Sequence, residues 1–353
     1  MKVDRRTAQG GYTIIELMVA ITLGLLIIAA LTTIFVNNSQ TRDEIERANE
    51  QTENGRYAIQ LLTDELRNAG YLAEFNPALL SLPATTPDPC ATALTDLKTA
   101  LPIAVQGNDN AASIPTCLSD VKAGTDIVVV RRASACAVGA TDCDPLITGA
   151  PYFQASGCTS PAELSSPNVA NYYGLDVDTT KLTLHQKNCN PPTTPGTLAP
   201  LHQYRTHIYF IANNDQNGDG IPTLKRAELG ASGFTTVPLV EGIENMQIEY
   251  GIETATPTTG VASVFTADPA SYGGCAGAVC VGYWRNIVSA KIHLLARNKK
   301  QTMGYTDGKV KTFAMGLNAD GTANTIGPFN DAYRRHVYTS LVRVNNTAGR
   351  NTP

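Results

Sequence analysis

The sequence predicts an α+β fold, in which a long N-terminal α-helix packs on an antiparallel β-sheet head with long, disulfide-stapled loops. An uncharged apolar run of 20 residues extends from Leu17 to Val36. After it come short alternating strands separated by long loops without helical periodicity, which favours an antiparallel sheet over a βαβ arrangement. All eight cysteines follow the apolar run, as expected for a head outside the cytosol.

The composition fits a folded, loop-rich chain with one apolar segment attached. The chain has 353 residues, of which 43% are hydrophobic and 16% charged, and its net charge is -4. This balance argues against a nucleic-acid-binding protein built on bulk positive charge, so nucleic acid is not an expected partner. The short basic run Arg297, Lys299 and Lys300 is interpreted as a solvated turn, and a DNA-uptake contact is the alternative.

The apolar run is long enough to cross a membrane. At 1.5 Å per residue it forms about 30 Å of helix, which is the thickness of a bilayer core. Lys2, Arg5 and Arg6 precede it, so we expect a single-pass helix with its N-terminus in the cytoplasm and the head on the other side. The run exceeds the ~7–15 apolar residues of a secretory signal, and its length disfavours a buried core helix. A plain signal anchor is the remaining alternative.

An ordered motif stands directly before the run. Gly10 and Gly11 are followed by Tyr12, three further residues and Glu16. The stretch GGYTIIELMVAITLGLLIIAAL resembles the prepilin leader of type IV pilins, with Tyr in place of the commoner Phe. The resemblance implies a type IV pilin-like fold, cleavage after Gly11 by a prepilin peptidase, and N-methylation of the new Tyr12 amine.

Glu16 places a carboxylate in an apolar helix, which costs about 2.5–3.5 kcal/mol at mid-bilayer and less near an end. After cleavage, Tyr12 of each subunit would carry a cationic amine. We expect Glu16 of one subunit to pair with that amine of a neighbour, which neutralises both charges and sets the axial register of assembly. The alternative is a carboxylate that extends to the lipid headgroups.

Four segments are expected along the chain: a leader at 1–11, a transmembrane or filament-core helix at 12–36, an amphipathic continuation at 37–70, and a β-rich head at 71–353. The continuation has a stripe of apolar or small residues at steps of three and four, namely Ile45, Ala48, Thr52, Gly55, Ile59, Leu62, Leu66 and Ala69. Residues 76–125 are expected to form loops. Strands are expected at 126–132, 181–187, 207–212, 235–252, 284–296 and 334–344.

Four sequence segments in the predicted head extend the resemblance. LRNAGYLAEF at 66–75, LVEGIENMQIEYGI at 239–252, VSAKIHLLAR at 288–297 and RRHVYTSLVRVNN at 334–346 resemble PilW-type minor pilins of Gram-negative type IV pili. The resemblance implies a non-catalytic subunit that primes pilus assembly and lies at or near the tip. Its implied partners are other minor pilins, the major pilin, the prepilin peptidase, the inner-membrane assembly platform and a tip adhesin.

The resemblance also implies where the protein is found. The prepilin would lie in the inner membrane with a periplasmic head, and the mature subunit would lie in the pilus at the cell surface. Two alternatives stay open: a type II secretion minor pseudopilin, and a tip adhesin or DNA-uptake subunit that binds through the loops between 76 and 200.

The cysteines predict disulfides rather than a metal site. Two local pairs are favoured, Cys136 with Cys143 and Cys275 with Cys280, and the connectivity of the others is open. Zinc is not expected, because no C-x2-C pair is present and the five histidines are scattered. The eight residues are Cys90, Cys117, Cys136, Cys143, Cys158, Cys189, Cys275 and Cys280.

No cofactor is expected to be required, and calcium is the one candidate. Residues 215–220 (DQNGDG) fit the front half of an EF-hand loop, in which Asp215, Asn217 and Asp219 would supply oxygen ligands. The twelfth position, normally Glu, is Arg226, and Glu228 follows two residues later. The alternative is a hairpin tip between two strands.

Enzymatic motifs are incomplete, so the sequence predicts no catalytic activity. Ser119 to Lys122 matches S-x-x-K without its companion motifs. Gly304 to Lys309 is one residue short of a P-loop and lacks the following Ser or Thr.

Overall fold

The computed structural model describes residues 11–189 and 196–350. The chain divides into two compact units, Met1–Glu50 and Gln51–Pro353, and the division falls inside the first helix. Of the predicted leader, only Gly11 is among the described residues. The segment boundaries expected at 11, 36 and 70 stay predictions.

The described residues form four α-helices, of which the first is by far the longest. Helix α1 ends where Gly70 takes a φ of +72°, a left-handed conformation that commonly terminates helices. The Gly70 amide then donates to the Arg131 carbonyl at 2.9 Å, which turns the chain onto the sheet. The helices are α1 (Ile14–Asn68), α2 (Leu94–Ala100), α3 (Ala278–Arg285) and α4 (Asn345–Arg350).

Thirteen strands are present in the described part of the chain, and their pairings are antiparallel. The strands are β1 (Val105–Asn108), β2 (Ile127–Ala137), β3 (Tyr152–Ala155), β4 (Tyr173–Asp176), β5 (His202–Ala212), β6 (Thr223–Gly230), β7 (Gly233–Glu241), β8 (Ile243–Ile252), β9 (Val264–Thr266), β10 (Ile287–Arg297), β11 (Phe313–Leu317), β12 (Ala323–Ile326) and β13 (Arg335–Arg343).

The strands form two main sheets and a small one. In the seven-stranded sheet the order is β1-β2-β5-β3-β4, and β6 and β7 extend it from β5. The second sheet has the order β13-β10-β8-β9, and β11 pairs with β12 alone. Together with the long helix and four disulfides, this arrangement confirms the predicted α+β, pilin-like fold class.

The main core lies where the C-terminal part of α1 meets both sheets. Leu62 and Leu66, each 1% exposed, pack in one apolar cluster with residues of the seven-stranded sheet such as Val128 and of the four-stranded sheet such as Ile292. This burial supplies the driving force that holds the helix to the head. The predicted stripe is buried only in its second half, at Gly55, Leu62 and Leu66 in α1 and at Ala69 directly after it. Its first members, Ile45, Ala48 and Thr52, are exposed.

Four secondary-structure expectations are wrong. The continuous strand expected at 235–252 is two strands, β7 and β8, because the chain turns at Gly242 (φ +76°) and passes from one sheet to the other. The strand expected at 181–187 is absent: only His185 forms an isolated bridge, with Leu198. Side chains accept the hydrogen bonds of two successive amides here, because Gln154 accepts from the Leu184 amide at 2.9 Å and Glu163 accepts from the His185 amide at 3.0 Å. The region 76–125 contains α2 and β1, and the expected strand start at 284 belongs to α3.

Candidate functional site

Gly11 and Tyr12 precede the helix and are open to solvent. Tyr12 is 91% exposed, and no other atom lies within 4 Å of the position that a Cβ would take at Gly11. Helix α1 begins at Ile14. The peptide bond between Gly11 and Tyr12 therefore lies outside regular secondary structure, where a protease can reach it.

Thr13 and Glu16 cap the start of α1 reciprocally. The Thr13 amide and hydroxyl donate to Glu16 Oε2 at 2.9 and 3.0 Å. In return, the Glu16 amide donates to Thr13 Oγ1 at 3.3 Å. This is a capping box, which satisfies helix donors that would otherwise lack partners. Both bonds to the carboxylate use Oε2, so Oε1 can accept a further hydrogen bond.

The surface of α1 after Glu16 is apolar and uncovered. Its most apolar stretch has a mean hydropathy of 2.7 and no buried residue, and by length and composition it can cross a membrane. Large side chains such as Leu25, Ile28 and Phe35 are 61%, 61% and 74% exposed. Apolar surface of this extent requires lipid or protein to cover it.

At Gly55, α1 lies directly against the four-stranded sheet. A Cβ at this position would overlap the ring of Tyr338 on β13. Gln51 lies one turn earlier and donates its side-chain amide to the carbonyls of Ala296 and Arg334 at 2.8 and 3.0 Å. The small residue Gly55 and the polar side chain of Gln51 thus determine which part of α1 packs against the four-stranded sheet.

A buried ion cluster joins α1 to the seven-stranded sheet. Arg132 on β2 donates to both carboxylate oxygens of Glu65, at 2.9 and 3.2 Å. His207 Nδ1 on β5 lies 2.9 Å from Glu65 Oε1. Bidentate pairing of this kind has a defined geometry, so the cluster orients the helix on the sheet.

The cluster has a definite protonation state. Burial by itself would raise the pKa of Glu65, but hydrogen bonds and charge from His207 and Arg132 outweigh it, and the pKa lies well below its ordinary value. Burial lowers the pKa of His207, against the opposing effect of Glu65. At neutral pH, a neutral His207 therefore donates its Nδ1–H to a charged Glu65.

The C-terminal segment closes the other end of α1. Asn346 donates to the carbonyls of Asn68 and Ala69 at 3.4 and 3.1 Å. Arg350 donates to the Gly70 carbonyl at 2.9 Å. Carbonyl groups at a helix end lack partners within the helix, so α4 acts as a cap for α1.

Four disulfides pair all eight cysteines, and no free cysteine is present. Both of the pairs favoured from the sequence, Cys136–Cys143 and Cys275–Cys280, are present. The other two, Cys90–Cys117 and Cys158–Cys189, close loops of 27 and 31 residues. Such cross-links restrict the unfolded chain.

The predicted calcium loop joins β5 to β6 as a hairpin tip. Asp219 accepts hydrogen bonds from the amides of Asp215, Gln216 and Ile221 at 3.1, 2.8 and 2.9 Å. Lys225 Nζ donates to the Asp215 carbonyl at 2.9 Å. Within residues 11–189 and 196–350, no group of three or more His, Cys, Asp or Glu side chains could hold a metal ion. Calcium binding at this loop stays a prediction.

Two protein-family models match this chain, one at its N-terminus and one in the second half of the head. The model of the prokaryotic N-terminal methylation motif matches residues 6–32, which include the exposed Gly11–Tyr12 bond and the capping box. The model of PilW, the type IV pilus-assembly protein W, matches residues 208–346. In these two segments the chain is similar to a PilW-like type IV pilin with a prepilin signal. Neither the curated proteins nor the solved structures give a match.

The PilW match covers the second half of the head. It runs from β5 to the start of α4 and includes the whole four-stranded sheet. Three of the four disulfides lie outside it, in the part of the head before residue 208. The methylation motif and the apolar helix indicate a membrane-anchored pilin, and the PilW match supports a part in type IV pilus assembly.

The sequence analysis named candidate residues at the N-terminus, whose roles stay predictions, and it missed the contacts that attach the head. The T-x-x-E spacing of Thr13 and Glu16 is a readable capping signal. Glu65 and His207 are 142 residues apart, and nothing local marks them as partners. The basic run is partly neutralised, since Lys299 pairs with Glu241 at 2.7 Å.

Proposed function

We propose that this PilW-like pilin is a non-catalytic minor pilin that primes assembly of the type IV pilus and lies at or near its tip. The observation that carries the proposal is the combination of a prepilin-type helix with an enlarged head. Residues 71–207 add strands β1 to β4 and three disulfides to the segment that matches PilW. A head of this bulk suits a terminal position better than a position repeated along a shaft.

Processing would convert the membrane-anchored form into a subunit. The prepilin peptidase would cut the exposed bond after Gly11, and methylation would leave a cationic amine on Tyr12. Glu16 keeps Oε1 available while Oε2 caps the helix. We propose that Oε1 accepts the amine of a neighbouring subunit, which removes two unpaired charges from the apolar filament core.

The same proposal defines location and partners. The prepilin lies in the inner membrane with a cytoplasmic N-terminus and a periplasmic head, an oxidising compartment that suits four disulfides. On assembly, helices of other minor pilins and of the major pilin replace lipid around the apolar surface of α1. The assembly platform in the inner membrane, and a tip adhesin, complete the set of proposed partners.

Three variants separate the charge of Glu16 from its capping role. Glu16→Ala removes both, Glu16→Gln keeps a capping side chain without the charge, and Thr13→Val removes the cap but keeps the charge. We expect leader removal in all three, strong loss of incorporation into pili for both Glu16 variants, and near-normal incorporation for Thr13→Val. Immunoblots of sheared pili measure this. Normal incorporation of Glu16→Gln would contradict the charge pairing.

Deletion of the gene tests the priming role directly. We expect few or no surface pili in the deletion strain, with recovery on complementation, and immunogold label of a tagged chain at pilus ends. Normal piliation in the deletion strain, or label distributed evenly along the pilus, would contradict the proposal.

A second candidate function is supported by the stapled loops before residue 200. Their three disulfides hold an exposed, proline-rich surface that lies outside the PilW match. A tip subunit could use such a surface to bind a target. Removal of the loops separates the two functions, because an assembly subunit should lose piliation whereas a receptor should lose only binding.

A further inference from the structure

Two arginine side chains line one cavity near the C-terminal end of α1. The cavity has a volume of about 180 Å³, and its lining includes Arg285 from the last turn of α3 and Arg350 from α4. Both guanidinium groups are always charged at physiological pH. Two like charges on one small cavity repel each other unless a negative group lies between them.

No acidic side chain belongs to the described residues that line this cavity. Glu253, whose amide donates to the carbonyl of the lining residue Asn286, accepts hydrogen bonds at its carboxylate from the amides of Thr259 and Gly260. Arg350 gives one bond to the Gly70 carbonyl. Neither Arg285 nor Arg350 forms an ion pair within residues 11–189 and 196–350.

The remaining lining residues are uncharged, and some of them are polar. Asn286, Thr258 and Thr347 supply further hydrogen-bonding side chains, and prolines and alanines form the walls. Burial without a compensating carboxylate lowers the pKa of Arg350 to about 10, so the side chain remains charged but is poorly solvated. A negatively charged oxygen ligand would therefore be stabilised here by charge-assisted hydrogen bonds.

We propose that Arg285 and Arg350 form a binding site for a carboxylate, which is carried either by a small molecule or by an acidic side chain of an adjacent pilus subunit. A planar carboxylate fits the fork of a guanidinium group, and the volume corresponds to about six water molecules. The binding site rests on this structure alone; its use in a subunit contact rests also on the proposed pilus function.

The first experiment measures binding to the purified full-length chain in detergent micelles. Succinate is titrated by calorimetry into the wild type, into Arg285→Gln, and into Arg343→Gln as a matched control, because Arg343 is exposed and lies outside the cavity. Arg285 is preferred to Arg350 because it does not cap α1. We expect millimolar binding that weakens at least about tenfold in Arg285→Gln only.

The outcome is decisive in both directions. The expected dissociation constant is in the millimolar range, so about 50 mM succinate should occupy most of the sites. An absence of binding heat in the wild type at this concentration would overturn the proposed carboxylate site. Equal affinity in wild type and Arg285→Gln would also overturn it. Circular dichroism confirms that the variant is folded, and Arg285→Lys, which keeps the charge, should restore part of the affinity.

The second experiment distinguishes the two sources of the carboxylate. A photo-crosslinking amino acid replaces Thr258, an exposed residue on the rim, in piliated cells. A crosslink to an acidic segment of another pilin, lost in Arg285→Glu but not in Arg343→Glu, supports the subunit contact. If succinate binds but no such crosslink forms, the site takes a small molecule. Neither result depends on whether the chain primes assembly.

Discussion

Substitution of Glu65 should remove the ion pair and the hydrogen bonds that join α1 to Arg132 and His207 on the seven-stranded sheet. In the variant Glu65→Ala, Arg132 keeps its charge while its side chain is only 13% exposed, and His207 loses its acceptor. An uncompensated buried charge of this kind costs about 3–5 kcal/mol, which is a large part of the roughly 5–15 kcal/mol that stabilises a typical domain.

The neighbouring residue supplies the control. Asp64 pairs with Arg67 on the same helix, but both side chains are 55% exposed. An exposed pair contributes only about 0.2–1 kcal/mol, so Asp64→Ala should scarcely change the free energy of unfolding. Guanidinium unfolding in micelles, followed by the fluorescence of the single Trp284 in the main core, measures both variants with the disulfides intact.

Two further results would test the reasoning. In the double variant Glu65→Ala/Arg132→Met the buried cation is gone, and stability should recover relative to Glu65→Ala alone. Because the folded-state pKa of Glu65 lies below its ordinary value of 4.5, its contribution is present above about pH 4.5 and is lost as the pH falls further. Equal effects of Asp64→Ala and Glu65→Ala would refute the account of the ion cluster.

Three other predictions concern the core and the hairpin tip. Burial raises the pKa of Asp126 from 3.8 to about 8. The free energy of unfolding should therefore fall by up to about 1.4 kcal/mol per pH unit as the pH rises between these two values. Denaturant titrations should show this fall in the wild type and not in Asp126→Asn. Gly55→Val should lower the unfolding free energy by about 1–3 kcal/mol through overlap with Tyr338, whereas Gly349→Ala, with open space around it, should not; equal melting curves would contradict this. Calcium, added to millimolar levels in calorimetry, should bind the wild type and not Asp219→Asn, and an absence of heat in the wild type would end the calcium prediction.

The features that could be predicted are those encoded by residues close together in the sequence. The apolar helix follows from length and hydropathy between Leu17 and Val36, and the stripe that includes Leu62 and Leu66 follows from helical periodicity. The pairs Cys136–Cys143 and Cys275–Cys280 could be favoured because each closes a short loop.

Features that depend on distant segments could not be predicted in this way. Arg132 and Glu65 are 67 residues apart, and Arg350 caps α1 across 280 residues. Their pairing is decided by sheet topology, which periodicity does not reveal. The strand expected at 181–187 was wrong for a related reason, since side chains of Gln154 and Glu163 satisfy the backbone there.

The mature N-terminus tests the central claim most directly. The exposed bond after Gly11, the capping box at Thr13 and Glu16, and the methylation motif at 6–32 all concern the same junction. Mass spectrometry of the N-terminal peptide from sheared pili should show a chain that begins at Tyr12 and carries one methyl group on its amine. A mature chain that begins at any other residue, or an uncut leader in assembled pili, would contradict the account.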